Sequence, residues 1–263
     1  MKLTDEEIVS NYQTLLELIN THIVSDRKEK LLALYDLLSD RIATAPASSI
    51  ISFHGCYTGG YVKHVIDVVN NSIAMHEVWG QSGADLSTYT LEELIFSAIN
   101  HDLGKIGDME LDYYVPNISD WHVKNQGKVY NINPKITNMS VPDRSIWLLQ
   151  NFGIHISENE FLAIKLHDGP YVEENKPYFN AFQEERKIRS NIVFVLHYAD
   201  YMSARIEYER EKSGRNVNTV NNTHMKSNSV PFRSKLSEDT ALKSANDLFA
   251  KMFDGKVKET EKE

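Results

Sequence analysis

Histidine and aspartate residues with the chemistry of metal ligands are spread along this chain. They are His64, His101, Asp102, His167 and Asp200. Each lies within, or at the end of, a segment with helical periodicity, so four helices could bring them together. Imidazole and carboxylate ligands together suit borderline divalent ions such as Mn²⁺, Fe²⁺, Co²⁺, Ni²⁺ or Zn²⁺ better than Mg²⁺ or Ca²⁺. Because a buried, unpaired Asp or His is costly, such a cluster indicates a functional site.

The segments that carry these residues have the local signals of helices. A Ser, Thr or Asp followed three residues later by Glu, ahead of an apolar stripe, is the pattern of a capping box. It occurs at Thr4 with Glu7, Asp26 with Glu29, Thr90 with Glu93 and Ser157 with Glu160. An apolar helix is also predicted from Gly60 to about Trp79, and helical periodicity marks residues 145–152 and about 184–210. The sequence therefore predicts an all-α fold.

The helical pattern breaks between about residues 109 and 140, a segment that we call the insertion. Residues 121–130 around Asn125-Gln126-Gly127 could form a short β-hairpin near the site. With no internal repeat and no second core, we expect an N-terminal helical pair (1–45) packed on a main domain (46–210). A flexible loop (211–235) and a C-terminal helix with a charged tail (236–263) are predicted to follow.

Composition narrows the class of partner. The 263 residues carry a formal charge of −9, which would repel a phosphate-rich polymer and so favours a small-molecule substrate over nucleic acid. A single cysteine cannot form an internal disulfide. The first residues lack the basic start and apolar core of a signal peptide, and no apolar run is long enough for a membrane span. We therefore expect a cytoplasmic protein without a membrane partner.

Four segments resemble motifs of one protein superfamily. FHGCYTGGYVKH (53–64) is similar to an FHGAYxGGLxxH segment, INHDLGK (99–105) to an HDxxK segment, EFLAIKLH (160–167) to EExxAIxxH and HYADYM (197–202) to HxADxM. These motifs are those of the HD superfamily of metal-dependent phosphohydrolases. Within it, they resemble a family related to the HD-domain 3′–5′ exoribonucleases. The resemblance covers about residues 46–208 and implies an HD-domain helical bundle.

The resemblance also implies the ligand set. His64, His101, Asp102 and Asp200 would hold a first metal, and His167 would belong to a second-metal or substrate position. One departure concerns Val141, which stands where related sequences often have a further histidine ligand. Either the second site is weak or absent, with His167 in a phosphate-binding or acid role, or Asp143 or His155 substitutes. One or two ions are therefore expected.

The expected chemistry is attack by metal-bound hydroxide on a phosphoryl group. Asp102 would bridge two ions or orient the water, so Asp102, Lys105 and His167 are the catalytic candidates. Lys105 could bind a substrate phosphate as a point charge, with Arg144 as a bidentate alternative or addition. His54 could contribute a substrate contact or support a ligand.

These residues predict a metal-dependent phosphohydrolase that cleaves a nucleotide phosphoester or phosphoanhydride. The first alternative is a 3′–5′ exonuclease or cyclic-nucleotide phosphodiesterase, which the family resemblance and the basic, aromatic insertion would suit. The second alternative is a weakened HD module that binds a nucleotide or a partner protein, as Val141 suggests. A small nucleotide is the expected partner under the leading prediction, and nucleic acid is the less favoured one.

Overall fold

Ten α-helices and one small two-stranded sheet build residues 2–213, the part of the chain that this computed structural model describes. The helices are α1 (Asp5–His22), α2 (Lys28–Leu37), α3 (Ser39–Thr44), α4 (Gly60–Gln81), α5 (Leu91–Asn100), α6 (Asp120–Gln126), α7 (Val141–Asn151), α8 (Glu158–Leu166), α9 (Lys176–Phe179) and α10 (Ile192–Ser213). Short 3-10 helices occupy Leu103–Ile106, Gly169–Tyr171, Glu173–Asn175 and Glu184–Arg186, and the strands are β1 (Tyr114–Pro116) and β2 (Tyr130–Ile132). The all-α prediction is confirmed.

Three of the four predicted capping boxes start helices as expected. In α1, α5 and α8 the N-cap hydroxyl accepts a hydrogen bond from the backbone of the Glu three residues later, whose carboxylate accepts one from the N-cap backbone. The box at Asp26 and Glu29 was wrong, because α2 has Arg27 at its N-cap and no side-chain cap. The Arg27 guanidinium instead reaches Glu160, with Nη–Oε distances of 2.6 and 2.7 Å.

One apolar cluster connects the N-terminal helices with those that follow. Helix α4 contributes a fully buried row of valines, and α1, α5, α8 and α10 add Leu, Ile and Phe side chains to the same cluster. Each fully buried side chain of this size contributes about 1.5–3 kcal/mol relative to exposure. The burial of their apolar side chains in this cluster holds α4, α5, α8 and α10 side by side. These four helices carry the predicted ligands or lead directly into them.

The insertion contains a two-stranded antiparallel sheet, but its turn is not where we predicted it. Tyr114 pairs with Ile132 and Pro116 with Tyr130. Residues 121–126, expected within a hairpin, belong to helix α6, which Ser119 caps. Gly127 ends that helix in the left-handed region (φ 63°). A glycine with positive φ suits either a hairpin turn or a helix C-terminus, so Asn-Gln-Gly did not distinguish the two structures.

Other boundaries also differ from the prediction. Helix α10 begins at Ile192 rather than near residue 184, where a short 3-10 helix lies instead. It continues to Ser213, three residues into the loop predicted at 211–235. The rest of that loop, and the helix and tail predicted at 236–263, lie outside the described residues. Among the described helices, none is long and apolar enough to cross a membrane.

Candidate metal centre

The five predicted ligands meet in the interior between helices α4, α5, α8 and α10. His64 Nε2 lies 3.1 Å from Asp200 Oδ1 and 3.6 Å from Asp102 Oδ2. His101 Nε2 lies 3.4 Å from Asp102 Oδ2 and 3.8 Å from Asp200 Oδ1. The second oxygen of Asp102, Oδ1, lies 3.5 Å from His167 Nε2. Asp102 therefore has one oxygen on the side of His64 and His101 and the other on the side of His167.

The turn that holds His101 and Asp102 is fixed against helix α7. Ser145 Oγ donates to the His101 carbonyl (3.1 Å) and accepts from the Gly104 backbone N–H (2.8 Å). A Cβ atom on Gly104 would lie 2.2 Å from the Val141 carbonyl oxygen, so only glycine permits this approach. Val141, the residue that departs from the family pattern, thus packs its backbone directly behind the His101-Asp102 turn.

Backbone carbonyls orient two of the imidazoles. His101 Nδ1 donates to the Ala98 carbonyl and His167 Nδ1 to the Ile164 carbonyl, each at 2.8 Å. Because a carbonyl can only accept, Nδ1 carries the proton, and the lone pair of each neutral ring is on Nε2, toward the cluster. Both side chains are thus preset as Nε2 ligands. The local signal in the sequence is their position at the C-cap of a helix, where the carbonyl three residues earlier is available.

His64 is oriented by a residue that sequence analysis missed. Its Nδ1 lies 3.4 Å from Oε1 of Glu207, which is buried on α10. Glu207 follows Asp200 by seven residues, two helical turns, and this spacing was a usable signal that both face one side. His54 stacks at a tilt on His64, with ring centroids 4.4 Å apart. His54 therefore borders the cluster, and its role in substrate binding or ligand support stays a prediction.

The charges within the cluster shift the pKa of its members in opposite directions. Burial alone would lower the pKa of His64 and His167, but Glu207 and Asp200 raise the first to about 10, and Asp168 and Asp102 raise the second to about 9. Burial would raise the pKa of Asp102, yet Lys105 and His101 hold it well below its usual range. Burial, with His64 and Lys105 nearby, lowers the pKa of His54 to about 3. These pKa shifts favour an anionic Asp102 beside cationic His64 and His167 rings.

The donor set fits a divalent transition metal. His64 Nε2 and His101 Nε2 are buried and make no hydrogen bond to any described residue, although both lie within ion-pair distance of carboxylates. Ligand atoms of His64, His101 and Asp200 lie within 4.8 Å of one another, as do those of His101, Asp102 and His167. Unpaired imidazole nitrogens beside carboxylate oxygens are a donor set for Mn²⁺, Fe²⁺, Co²⁺, Ni²⁺ or Zn²⁺.

A further carboxylate, that of Asp168, borders His167. Its Oδ1 lies 3.7 Å from His167 Nε2, and His167, Asp168 and Asp200 form another group with ligand atoms within 4.8 Å. Neither Asp143 nor His155, the two substitutes considered for a second site, belongs to any such group among the described residues. Asp143 instead pairs with Lys165 at 2.5 Å. Asp168 directly follows a predicted ligand, which was the signal for it in the sequence.

The two predicted phosphate-binding cations differ in their surroundings. Lys105 Nζ lies 2.6 Å from Asp102 Oδ2, at the edge of the metal-ligand cluster. Arg144 is buried under the insertion, where Nη2 donates to the Thr137 carbonyl at 2.8 Å and the guanidinium lies 5.5 Å from the Tyr113 ring centroid. The structure thus places Lys105 beside the predicted ligands, whereas the Arg144 guanidinium contacts the insertion.

Lys105 also lines a cavity of about 370 Å³ that we call the tyrosine cavity. Its wall includes Lys105, Asp40, Arg41, Tyr113, Tyr114 and Tyr130. The three tyrosines come from the insertion, and Asp40 and Arg41 come from α3. The cavity is therefore formed where the insertion faces the N-terminal helices, next to the cation that contacts Asp102.

Comparisons with known proteins identified no relative. No protein-family model matches the chain, and neither the curated proteins nor the solved structures contain a significant match. The resemblance to the HD superfamily rests on the sequence motifs and stays a prediction. The geometry of the metal-ligand cluster is accordingly the basis for assigning a function.

Proposed function

We propose that this protein is a divalent-metal-dependent phosphohydrolase that acts on a nucleotide phosphoester or phosphoanhydride. The observation that carries the proposal is the position of Asp102 between two sets of imidazoles, with Oδ2 toward His64 and His101 and Oδ1 toward His167. A carboxylate that shares its two oxygens in this way is suited to hold one ion or to bridge two. We therefore propose that the site holds one or two ions.

Each residue of the cluster has a distinct part in the proposed reaction. His64, His101, Asp102 and Asp200 hold the ion, which would supply a water acidic enough to attack at neutral pH and positive charge for the phosphoryl oxygens. Lys105 binds a phosphate oxygen, because its ammonium lies at the edge of the cluster. His167 serves either as a further ligand or as the acid that protonates the leaving oxygen.

The test is hydrolysis of a substrate panel by the full chain. The panel contains nucleoside mono-, di- and triphosphates, cyclic nucleotides and short oligonucleotides, each with Mn²⁺, Co²⁺, Ni²⁺, Mg²⁺ or EDTA, and products are separated by chromatography. We expect phosphate or nucleotide release that EDTA abolishes and that the double variant His101→Ala/Asp102→Ala loses. His122→Ala, which removes an exposed histidine of α6, is the matched control and should retain activity.

The alternatives predict different outcomes of the same panel. A 3′–5′ exonuclease, to which the exposed Lys124 and Lys135 of the insertion would contribute, should prefer oligonucleotides and lose affinity steeply with salt. A binding module should bind Mn²⁺ tightly and turn over none of the substrates. The last result would contradict the proposal.

A further inference from the structure

The tyrosine cavity has the size and wall chemistry of a small-molecule site. Its volume of about 370 Å³ lies at the lower end of the range for ligand pockets, about 300–1,000 Å³. Lys105 is common to its wall and to the metal-ligand cluster, since its Nζ lies 2.6 Å from Asp102 Oδ2. A molecule in the cavity can therefore present a group to Lys105, which contacts Asp102.

Aromatic rings form one side of this cavity. The ring centroids of Tyr113 and Tyr114 are 4.8 Å apart, and those of Tyr114 and Tyr130 are 6.2 Å apart. Strand pairing fixes the positions of Tyr114 and Tyr130. Tyr114 pairs with Ile132 and Pro116 pairs with Tyr130, so both tyrosines lie on one face of the sheet. Such a face is suited to stack on a nucleobase, since every base has a π-face.

The other side of the cavity is polar and balanced in charge. Asp40 and Asp112 bring two carboxylates, and Arg41 and Lys105 are the cations among the lining residues that the structure describes. Arg41 is held in place, with Nε 3.1 Å from Asp112 Oδ1 and Nη1 2.5 Å from the Asp108 carbonyl. Carboxylates accept hydrogen bonds from sugar hydroxyls and base amino groups and repel phosphates. Lys105 lies where the cavity meets the metal-ligand cluster.

From this arrangement we infer that the tyrosine cavity is the nucleoside subsite of a mononucleotide with one phosphate. The base stacks on the tyrosines of the insertion, the sugar faces the carboxylates of the opposite wall, and the single phosphate lies against the Lys105 ammonium. Additional phosphates would extend past Lys105 toward the carboxylates of Asp102 and Asp200, so nucleoside diphosphates and triphosphates are poorer ligands of the metal-free protein. This inference rests on the proposed function, because it takes the phosphate site from it.

Binding measurements separate the subsite from catalysis. The full chain is titrated calorimetrically with the common nucleosides, their 5′-mono- and triphosphates and inorganic phosphate, first with EDTA and then with Mn²⁺. Nucleosides have no bond for the enzyme to hydrolyse, so their binding does not depend on activity. We expect one nucleoside and its monophosphate to bind in EDTA, and the monophosphate to bind more tightly than either the triphosphate or inorganic phosphate.

Variants assign each part of the ligand. Tyr130→Ala should weaken binding of both the nucleoside and the monophosphate at least about fivefold. This factor corresponds to the lower end of the free energy lost when one stacking ring is removed. Tyr130→Phe should restore it, and Trp121→Ala, which removes an exposed aromatic of α6, should change nothing. Lys105→Met should weaken only the monophosphate. The Tyr130 and Trp121 variants should keep the wild-type Mn²⁺ affinity, which reports an intact fold. For Lys105→Met, which removes the partner of Asp102, an unchanged nucleoside affinity reports the intact fold.

Two results would overturn the inference. One is nucleoside affinity that does not change in Tyr130→Ala, and the other is inorganic phosphate binding as tightly as the monophosphate. Metal-dependent turnover with a KM that Tyr130→Ala leaves unaltered would refute the subsite and retain the hydrolase. Tyr130-dependent nucleoside binding without any turnover would retain the subsite and refute the hydrolase.

Discussion

Glu207 Oε1 lies 3.4 Å from His64 Nδ1, while Nε2 of the same ring points to Asp102 and Asp200. Glu207 is buried, so its carboxylate is stable only beside a positive or hydrogen-bonding partner. A carboxylate on the far nitrogen of a ligating histidine fixes the ring and increases its basicity. Glu207 is therefore a positioning residue for the proposed metal ligand His64.

Replacing Glu207 should weaken metal binding without unfolding the protein. Glu207→Gln keeps the shape of the side chain and removes its charge, so we expect the Mn²⁺ Kd to rise about tenfold or more. Isothermal titration calorimetry measures the change. Glu209→Ala is the matched control, because Glu209 is exposed on the same helix and pairs with Arg205. Equal affinities in Glu207→Gln and wild type would refute the role of Glu207.

Metal binding should release protons and strengthen as the pH rises. The pKa values of His64, about 10, and His167, about 9, lie above the ordinary 6.5, so both rings are protonated at neutral pH in the metal-free protein. A metal binds only the neutral ring. Affinity should therefore rise between about pH 6 and pH 8, by up to about tenfold per unit for each proton released. Titration in buffers of different ionisation enthalpy counts these protons, and a constant Kd would contradict the prediction.

Metal removal should lower the thermal stability of the native chain. An ion that binds only the folded state stabilises it by about 2.7 kcal/mol at a concentration of 100 Kd. Scanning calorimetry with Mn²⁺ and with EDTA should show a higher Tm for the metal-loaded protein. His101→Ala removes one of the buried, unpaired Nε2 atoms of the cluster, and the Tm difference should largely vanish. A Tm that Mn²⁺ leaves unchanged in wild type would argue against the metal centre.

The ion pair between Arg27 and Glu160 should be essential for stability. Glu160 is fully buried, and the Arg27 guanidinium, which also lies 3.8 Å from the Phe96 ring centroid, binds both its carboxylate oxygens. Arg27→Ala leaves a buried charge without its partner and should cost about 3–5 kcal/mol of unfolding free energy. Urea denaturation measures this loss.

Arg205→Ala is the comparison for that experiment. Arg205 pairs with Glu209 in solvent, where an ion pair contributes about 0–1 kcal/mol. If Arg27→Ala were no more destabilising than Arg205→Ala, the buried pair would not have the importance assigned to it.

Local signals in the sequence predicted most of the helix starts. The capping boxes of α1, α5 and α8 depend only on residues three positions apart, so their side chains find the same partners in any fold that forms the helix. At α2 the same pattern failed, and there the adjacent Arg27 is engaged across the structure by Glu160. Tertiary contacts of this kind leave no local signal.

Residues of the candidate site that stand in a motif were predicted from the sequence. Residues that packing alone brings to the site were missed. The sequence identified His64, His101, Asp102, His167 and Asp200, and the structure brings them together. Glu207 and Asp168 were missed because neither stands in a motif, and their approach to His64 and His167 depends on how α10 packs on α4 and α8. The tyrosine cavity could not be predicted, since its walls come from helix α3 and from the insertion, which are distant in the sequence.

Helix α3, at Ser39–Thr44, contributes Asp40 and Arg41 to the tyrosine cavity but no ligand to the metal centre. It also lies before residue 46, where the motif-bearing part of the chain begins. Substitutions in this one short helix can therefore reshape what the cavity accepts while every metal ligand stays in place. If the proposed function is correct, the residues that react and the residues that select the substrate lie in separate stretches of the polypeptide. Selectivity could then be redesigned, or could change in evolution, while the proposed metal ligands stay the same.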